Sequence, residues 1–185
     1  MNPVKYFWAA RAIVYKLIFK RFGNISYMGK PVFVEGGKNI SVGNRVRIFP
    51  GLRIQTLERG NIIIGDNVCI EQNVHIISAK DNLFIGSDVV ISANVFISNC
   101  DHDYKDIEKS VIEQPNIVKT TQIGEGSFIG YGSVIMPGTV LGKHCIVGAN
   151  SVTKGKFPDY SVIAGTPAKI IKIYNKGEKL WARKL

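Results

Sequence analysis

Residues 123–148 read Ile123-Gly-Glu-Gly-Ser-Phe-Ile129-Gly-Tyr-Gly-Ser-Val-Ile135-Met-Pro-Gly-Thr-Val-Leu141-Gly-Lys-His-Cys-Ile-Val147-Gly148, with an aliphatic side chain at every sixth position. The same step occurs upstream at Val42, Ile48 and Ile54, at Ile64, Ile70 and Ile76, and at Ile85, Ile91 and Ile97. All fourteen positions are Ile, Leu or Val, and half are followed directly by glycine, at Gly43, Gly65, Gly86, Gly124, Gly130, Gly142 and Gly148. A period of six fits neither the helical repeat of 3.6 nor a long alternating strand. Short strands joined by tight corners do fit, because each aliphatic then points inward on successive faces. Glycine directly after the aliphatic suits a corner where the backbone bends sharply. Three hexads make one triangular coil, and stacked coils bury a ladder of aliphatics that no single repeat could bury alone. The expected fold class is therefore all-β, a parallel β-helix.

Four residues after each aliphatic comes a second inward position. It is Val46, Leu52, Val68, Val74, Val89 and Val95 in the first half, then Ser127, Ser133, Thr139, Cys145 and Ser151. The later coils should pack with smaller, partly polar side chains. The step from Ile97 to Ile123 is 26 residues instead of six. A loop of roughly residues 103–122 must leave the prism and return, and excursions of that length are usually functional. The residue just before it is His102.

A chain of 185 residues, 45% hydrophobic, can bury one ordinary core. Its three cysteines, Cys69, Cys100 and Cys145, form no CxxC pair and leave an odd number, which suits a reducing cytoplasm better than a disulfide framework. The net charge of +10 is concentrated at the ends. The first 22 residues carry Lys5, Arg11, Lys16, Lys20 and Arg21 without an acid. The last 17 carry Lys169, Lys172, Lys176, Lys179, Arg183 and Lys184 against Glu178 alone. No recognition helix or basic–aromatic module accompanies them, so no nucleic-acid partner is expected. Arg11 and Lys16 interrupt the apolar stretch from Tyr6 to Phe22, which excludes a transmembrane span there, and no small-residue cleavage site follows. Two readings of it stay open: an amphipathic helix packed on its own domain or a sister subunit, and peripheral contact of residues 1–22 with an anionic membrane at the inner face.

The chain resembles the hexapeptide-repeat acyltransferase family, in particular its branch acting on polysaccharides and sugars, over residues 30 to 175. Besides the hexads, Ile97-Ser-Asn-Cys-Asp-His102-Asp-Tyr104 is similar to the family's approach to its catalytic histidine. Val162-Ile-Ala-Gly-Thr-Pro-Ala-Lys-Ile170 is similar to its terminal coil motif. The resemblance implies a left-handed helix, a homotrimer, acetyl-CoA as co-substrate with no metal, and a sugar or glycan acceptor. Taken together with the composition of the two ends, it gives an expected organisation in three parts: a basic amphipathic helix over 1–25, the acyltransferase β-helix over 30–172 with its loop at 103–122, and a basic tail over 173–185. The chain departs from the family in placing Tyr131 where a small residue is commoner and in a coil after Val147 one residue short before Thr153-Lys154.

Acyl transfer from a thioester to a hydroxyl needs a base, and a neutral imidazole suits that task. The resemblance gives this role to His102, which would take the hydroxyl proton and return one to the departing thiolate, with a backbone N–H stabilising the oxyanion. Asp101 or Asp103 would orient the imidazole, or both are solvated loop acids. The resemblance further implies acceptor contacts for Glu71, Asn99 and Asp101. It implies coenzyme A contacts for Tyr131, Ala149, Thr153 and Lys154, with Lys169 and Lys172 on the phosphates. Cys100 as a nucleophile is disfavoured, since a free cysteine is commonly a small buried hydrophobe. The alternative activity is N-acetylation of a nucleotide-linked amino sugar. A more distant one is a γ-type carbonic anhydrase with three zinc-binding histidines. It fits poorly, because His75, His102 and His144 lack the required five-residue spacing and Ile107 stands five residues after His102.

Overall fold

The computed structural model describes residues 4–183. The outermost residues of both basic ends, Lys184 among them, lie outside the described residues, as does the side chain of Lys5. One helix, Val4–Ile18, precedes a solenoid whose strands stack into three parallel sheets, one for each face of a triangular prism. The chain visits the faces in rotation. The first face runs from Arg21–Phe22 to Lys156–Phe157, the second from Tyr27–Met28 to Ser161–Gly165, and the third from Phe33–Glu35 to Val152–Thr153.

The six-residue period maps onto these faces without exception. Val42, Ile64, Ile85, Ile123 and Leu141 stand in register on the first face. Ile48, Ile70, Ile91, Ile129 and Val147 do so on the second. Ile54, Ile76, Ile97 and Ile135 complete the third. All fourteen are at most 3% exposed, so the ladder is the core. The second inward positions are buried too. The polar ones stay satisfied by bonding between coils: Ser133 Oγ donates to Gly148 O (2.9 Å), and Thr139 Oγ1 to Thr153 O (2.9 Å).

The glycines have a different reason from a bend. The left-handed residue of the corner between the first and second faces comes two positions later, at Arg45, Asn67, Asp88, Gly126 and His144. A Cβ on Gly124 would collide with the backbone of Gly142 in the next coil, so glycine here lets the coils stack.

The excursion also differs from a plain loop. Cys100–His102 and Asn116–Val118 pair as an antiparallel two-stranded ribbon, with His102 opposite Asn116. The chain thus leaves the prism before His102, and the histidine sits on the outgoing strand. The basic tail is no separate appendage. Ala168–Asn175 doubles back antiparallel on Ser161–Gly165, and Leu180–Arg183 pairs with it in turn, closing the second face with a hairpin. Ile170, opposite Ile163, and Ala168 pack against the core, so this strand covers the last coil.

Candidate active site

His102 projects from the corner where the chain passes from the third face to the first. Two hollows of about 250 Å³ each meet at it, sharing Asp101, His102, Met136 and Pro137. The one toward the earlier coils is walled by Leu57, Ile77 and Phe96, with Asn116 and Cys100 at its rim. The one toward the later coils is lined by Tyr104, Lys105, Lys119 and Lys154. The imidazole therefore borders an apolar chamber and a cationic one, an arrangement that can receive two different reactants on either side of one base.

The two aspartates are occupied with the backbone. Asp101 Oδ1 accepts from His102 N–H at 2.9 Å, and Asp103 Oδ1 accepts from Tyr104 N–H at 2.8 Å. Burial pushes the Cys100 thiol up from its ordinary pKa, which disfavours the thiolate a nucleophile needs.

Two assignments from the sequence are corrected. Asn99 is fully buried, and its amide is spent on the neighbouring coil: Oδ1 accepts from Ala79 N–H (2.8 Å), while Nδ2 donates to Ser78 Oγ (3.1 Å) and Ala79 O (3.2 Å). It roots the excursion and is not available to an acceptor. Thr153 is likewise fully buried, stands in register with Ile135 and donates to Val134 O at 3.3 Å. Its side chain faces the core, so no ligand on the surface can touch it.

The remaining candidates occupy different edges. Glu71, Tyr131 and Ala149 follow second-face strands and lie on the corner between the second and third faces, across the third face from His102. Glu71 Oε2 accepts from Ala93 N–H at 3.0 Å, and the Tyr131 hydroxyl accepts from Asn94 Nδ2 at 2.6 Å. One chain does not bring these residues to His102. Lys169 and Lys172 pair with Ala164 and Val162, with a register shift between Val162 and Ile163. Three residues apart on a regular strand they would face opposite ways; the bulge puts both on the outer face.

Within one chain the other two histidines stand in surroundings of their own. His75 packs edge-on against Phe96 and His144 stacks on Tyr160. Among the described residues, no group of three or more His, Cys, Asp or Glu could hold an ion. Sequence reasoning missed Leu57, Ile77, Phe96 and Asn116, which wall the apolar chamber. Phe96 carried a usable signal, being a large apolar residue at an outward position of its hexad.

Comparison with known proteins bears on the family and the fold. Residues 120–155 match the family model described as bacterial transferase hexapeptide (six repeats). The chain is 35% identical over 162 residues to the putative lipopolysaccharide biosynthesis O-acetyl transferase WbbJ of Escherichia coli K12, covering 83% of this chain and 81% of that protein. Among solved structures, the N-acyltransferase AntD from Bacillus cereus, in complex with dTDP and 3-hydroxybutyryl-CoA, superimposes with a TM-score of 0.77. It has 20% identity, and the match covers 91% of this chain and 90% of AntD. The hexapeptide-repeat acetyltransferase VCA0836 from Vibrio cholerae gives 0.61 at 24% identity, over 91% and 82% of the two chains. The likeness to these structures establishes the fold, a left-handed β-helix. Added to it, the extent and identity of the match to WbbJ establish that this chain is an acyltransferase and belongs to the bacterial hexapeptide-repeat acyltransferase family.

Proposed function

We propose that the protein transfers an acetyl group from acetyl-CoA to a hydroxyl of a sugar or surface-polysaccharide precursor, with His102 as general base. The observation that carries this reading is the position of His102 on the boundary of two hollows of opposite character. The apolar chamber, with Phe96, Ile77 and Leu57, offers flat and aliphatic surface to the C–H face of a sugar. The cationic one leads past Lys154 toward the terminal coils, where coenzyme A would run with its phosphates near Lys169 and Lys172. His102 accepts the proton of the acceptor hydroxyl as its oxygen bonds to the thioester carbonyl carbon. The C–S bond then breaks, and the imidazolium returns the proton to the thiolate. No metal is needed in this scheme.

A homotrimer belongs to the same reading. Tyr131, Ala149 and Glu71 can serve the His102 centre only if a neighbouring copy presents that edge. The tip of the excursion supports such a neighbour: Ile107 and Ile112 are 91% and 87% exposed in the single chain, a composition suited to being covered. The enzyme works in the cytoplasm, at the inner face of the membrane where its acceptor is lipid-linked.

The test is acetyl-CoA-dependent thiol release with a panel of neutral sugars, glycans and amino sugars, for the wild type and His102→Ala. Release that requires an acceptor, falls by about 10²–10⁴ in the variant and leaves coenzyme A binding intact is the expected result. Preference for an amine over every hydroxyl would turn the assignment to N-acetylation. Failure of both proteins to bind coenzyme A would overturn it.

A further inference from the structure

Six apolar side chains of the N-terminal helix stand in solvent: Tyr6, Phe7, Ile13, Val14, Leu17 and Ile18, exposed by 62, 73, 67, 53, 86 and 42%. With about 3.6 residues per turn they fall, together with Ala10, on one continuous stripe. The opposite face attaches the helix to the solenoid. There Ala12 and Phe19 are buried, and Trp8 packs on Tyr27 and Phe49 at ring separations of 5.8 and 5.6 Å. The stripe is thus surplus to the needs of folding.

Its borders are cationic. Lys16 and Lys20 flank one side and Arg11 the other, Arg21 follows the helix, and no acid precedes Glu35 in the chain. Ile25, 84% exposed, adds to the apolar surface beside Asn24, the residue that accepts from Lys16 Nζ at 3.4 Å.

We infer that this stripe is a membrane anchor that lies in the interfacial plane of an anionic lipid leaflet, apolar side chains inward and cations at the headgroups. No helix among the described residues is long and apolar enough to cross a membrane. This one has 15 residues, which at ~1.5 Å per residue is shorter than the ~30 Å hydrocarbon core. It can lie along a leaflet but not span it. A second copy of the helix is the poorer occupant, because a symmetric contact would bring two sets of cations together without an acid to neutralise them. An acidic protein would have to supply a groove matching a convex ridge, whereas acyl chains conform to it, and anionic headgroups answer the flanking charge. The inference deepens the membrane placement given above and stands independently of the acyl-transfer chemistry.

The experiment is flotation of the full-length protein with vesicles of phosphatidylcholine alone or mixed with phosphatidylglycerol. It compares the wild type, Phe7→Glu with Leu17→Glu, and Lys16→Glu with Lys20→Glu. The wild type should float with the anionic vesicles, tenfold or more better than with neutral ones, and less so at high salt. Both double variants should lose about tenfold while keeping their circular dichroism and their oligomeric mass. Leu17→Trp should shift its emission to the blue on anionic vesicles. Wild-type protein that stays unbound, apolar-stripe variants that bind as well as wild type, or variants that change oligomeric mass instead would overturn the inference. Vesicle binding without acetyl transfer to any acceptor would count against the enzymatic reading alone.

Discussion

Asn99 and His102 stand three residues apart and have opposite fates. The Asn99 amide is sealed inside, holding Ala79 and Ser78 of the previous coil, while His102 is exposed between two hollows. Asn99→Ala should leave the Ala79 N–H without its partner, at about 1–3 kcal/mol. A urea melt should register that loss, whereas the KM for the acceptor in the folded fraction should be unchanged. A large rise in KM without loss of stability would restore Asn99 as a substrate contact. His75 provides a second residue-scale prediction. Burial, and then the charge of Arg53, hold its pKa below the ordinary 6.5. A histidine depressed in the folded state favours folding above its unfolded pKa, and that contribution is lost as pH falls toward the folded value. The melting temperature should therefore drop more between pH 7.5 and 5.5 for the wild type than for His75→Gln.

At the scale of elements, the ribbon Cys100–His102 with Asn116–Val118 gives the base its position. Asn116, opposite His102, donates from Nδ2 to Glu58 Oε1 at 3.1 Å, and Glu58 pairs with Lys80 at 3.2 Å. The hydrogen bond from Asn116, and then Lys80, hold the Glu58 carboxyl below its usual range. This bond ties the ribbon to the corners of earlier coils. As Glu58 and Lys80 are exposed, the link matters for position more than for stability. Asn116→Ala should lower kcat by roughly tenfold, with the KM for acetyl-CoA and the pH profile unchanged. Glu58→Gln, which can still accept the bond, should retain most activity. A fall in melting temperature with unaltered kcat would reduce the link to a structural one. The bulge beside Ile163 shows the same dependence on local geometry. Without it, Lys169 and Lys172 would not share a face.

For the whole molecule, the decisive fact is that candidate residues lie on separate edges of the prism. His102, Asp101 and Lys154 follow third-face strands, whereas Tyr131 and Ala149 follow second-face strands. If neighbouring copies complete each other, His102→Ala chains refolded together with Ala149→Trp chains should recover part of the activity that each variant lacks by itself. Recovery would come from sites that draw the intact histidine from one chain and the intact groove from the next. No recovery in confirmed mixed oligomers would place the whole site within one chain.

The sequence by itself determined the prism. Each hexad repeats one local geometry, and burial of a fourteen-member aliphatic ladder leaves no competing register. It also determined where the excursion falls, because an insertion shows as a break in period. Only the tertiary structure decided which polar side chains face outward. Asn99 lies off the six-residue period, and stacking of the coils turns it into an interior hydrogen-bonding group, whereas Thr153, six residues after Val147, continues the inward ladder that the period itself marks. It also decided that the basic tail closes the second face as a hairpin, since a strand at the end of the chain is selected by the open edge it covers. The ribbon that carries His102, and the two hollows beside it, arise from contacts between residues far apart in the chain. A six-residue pattern records the inside of each coil and is silent about what neighbouring coils assemble on the outside.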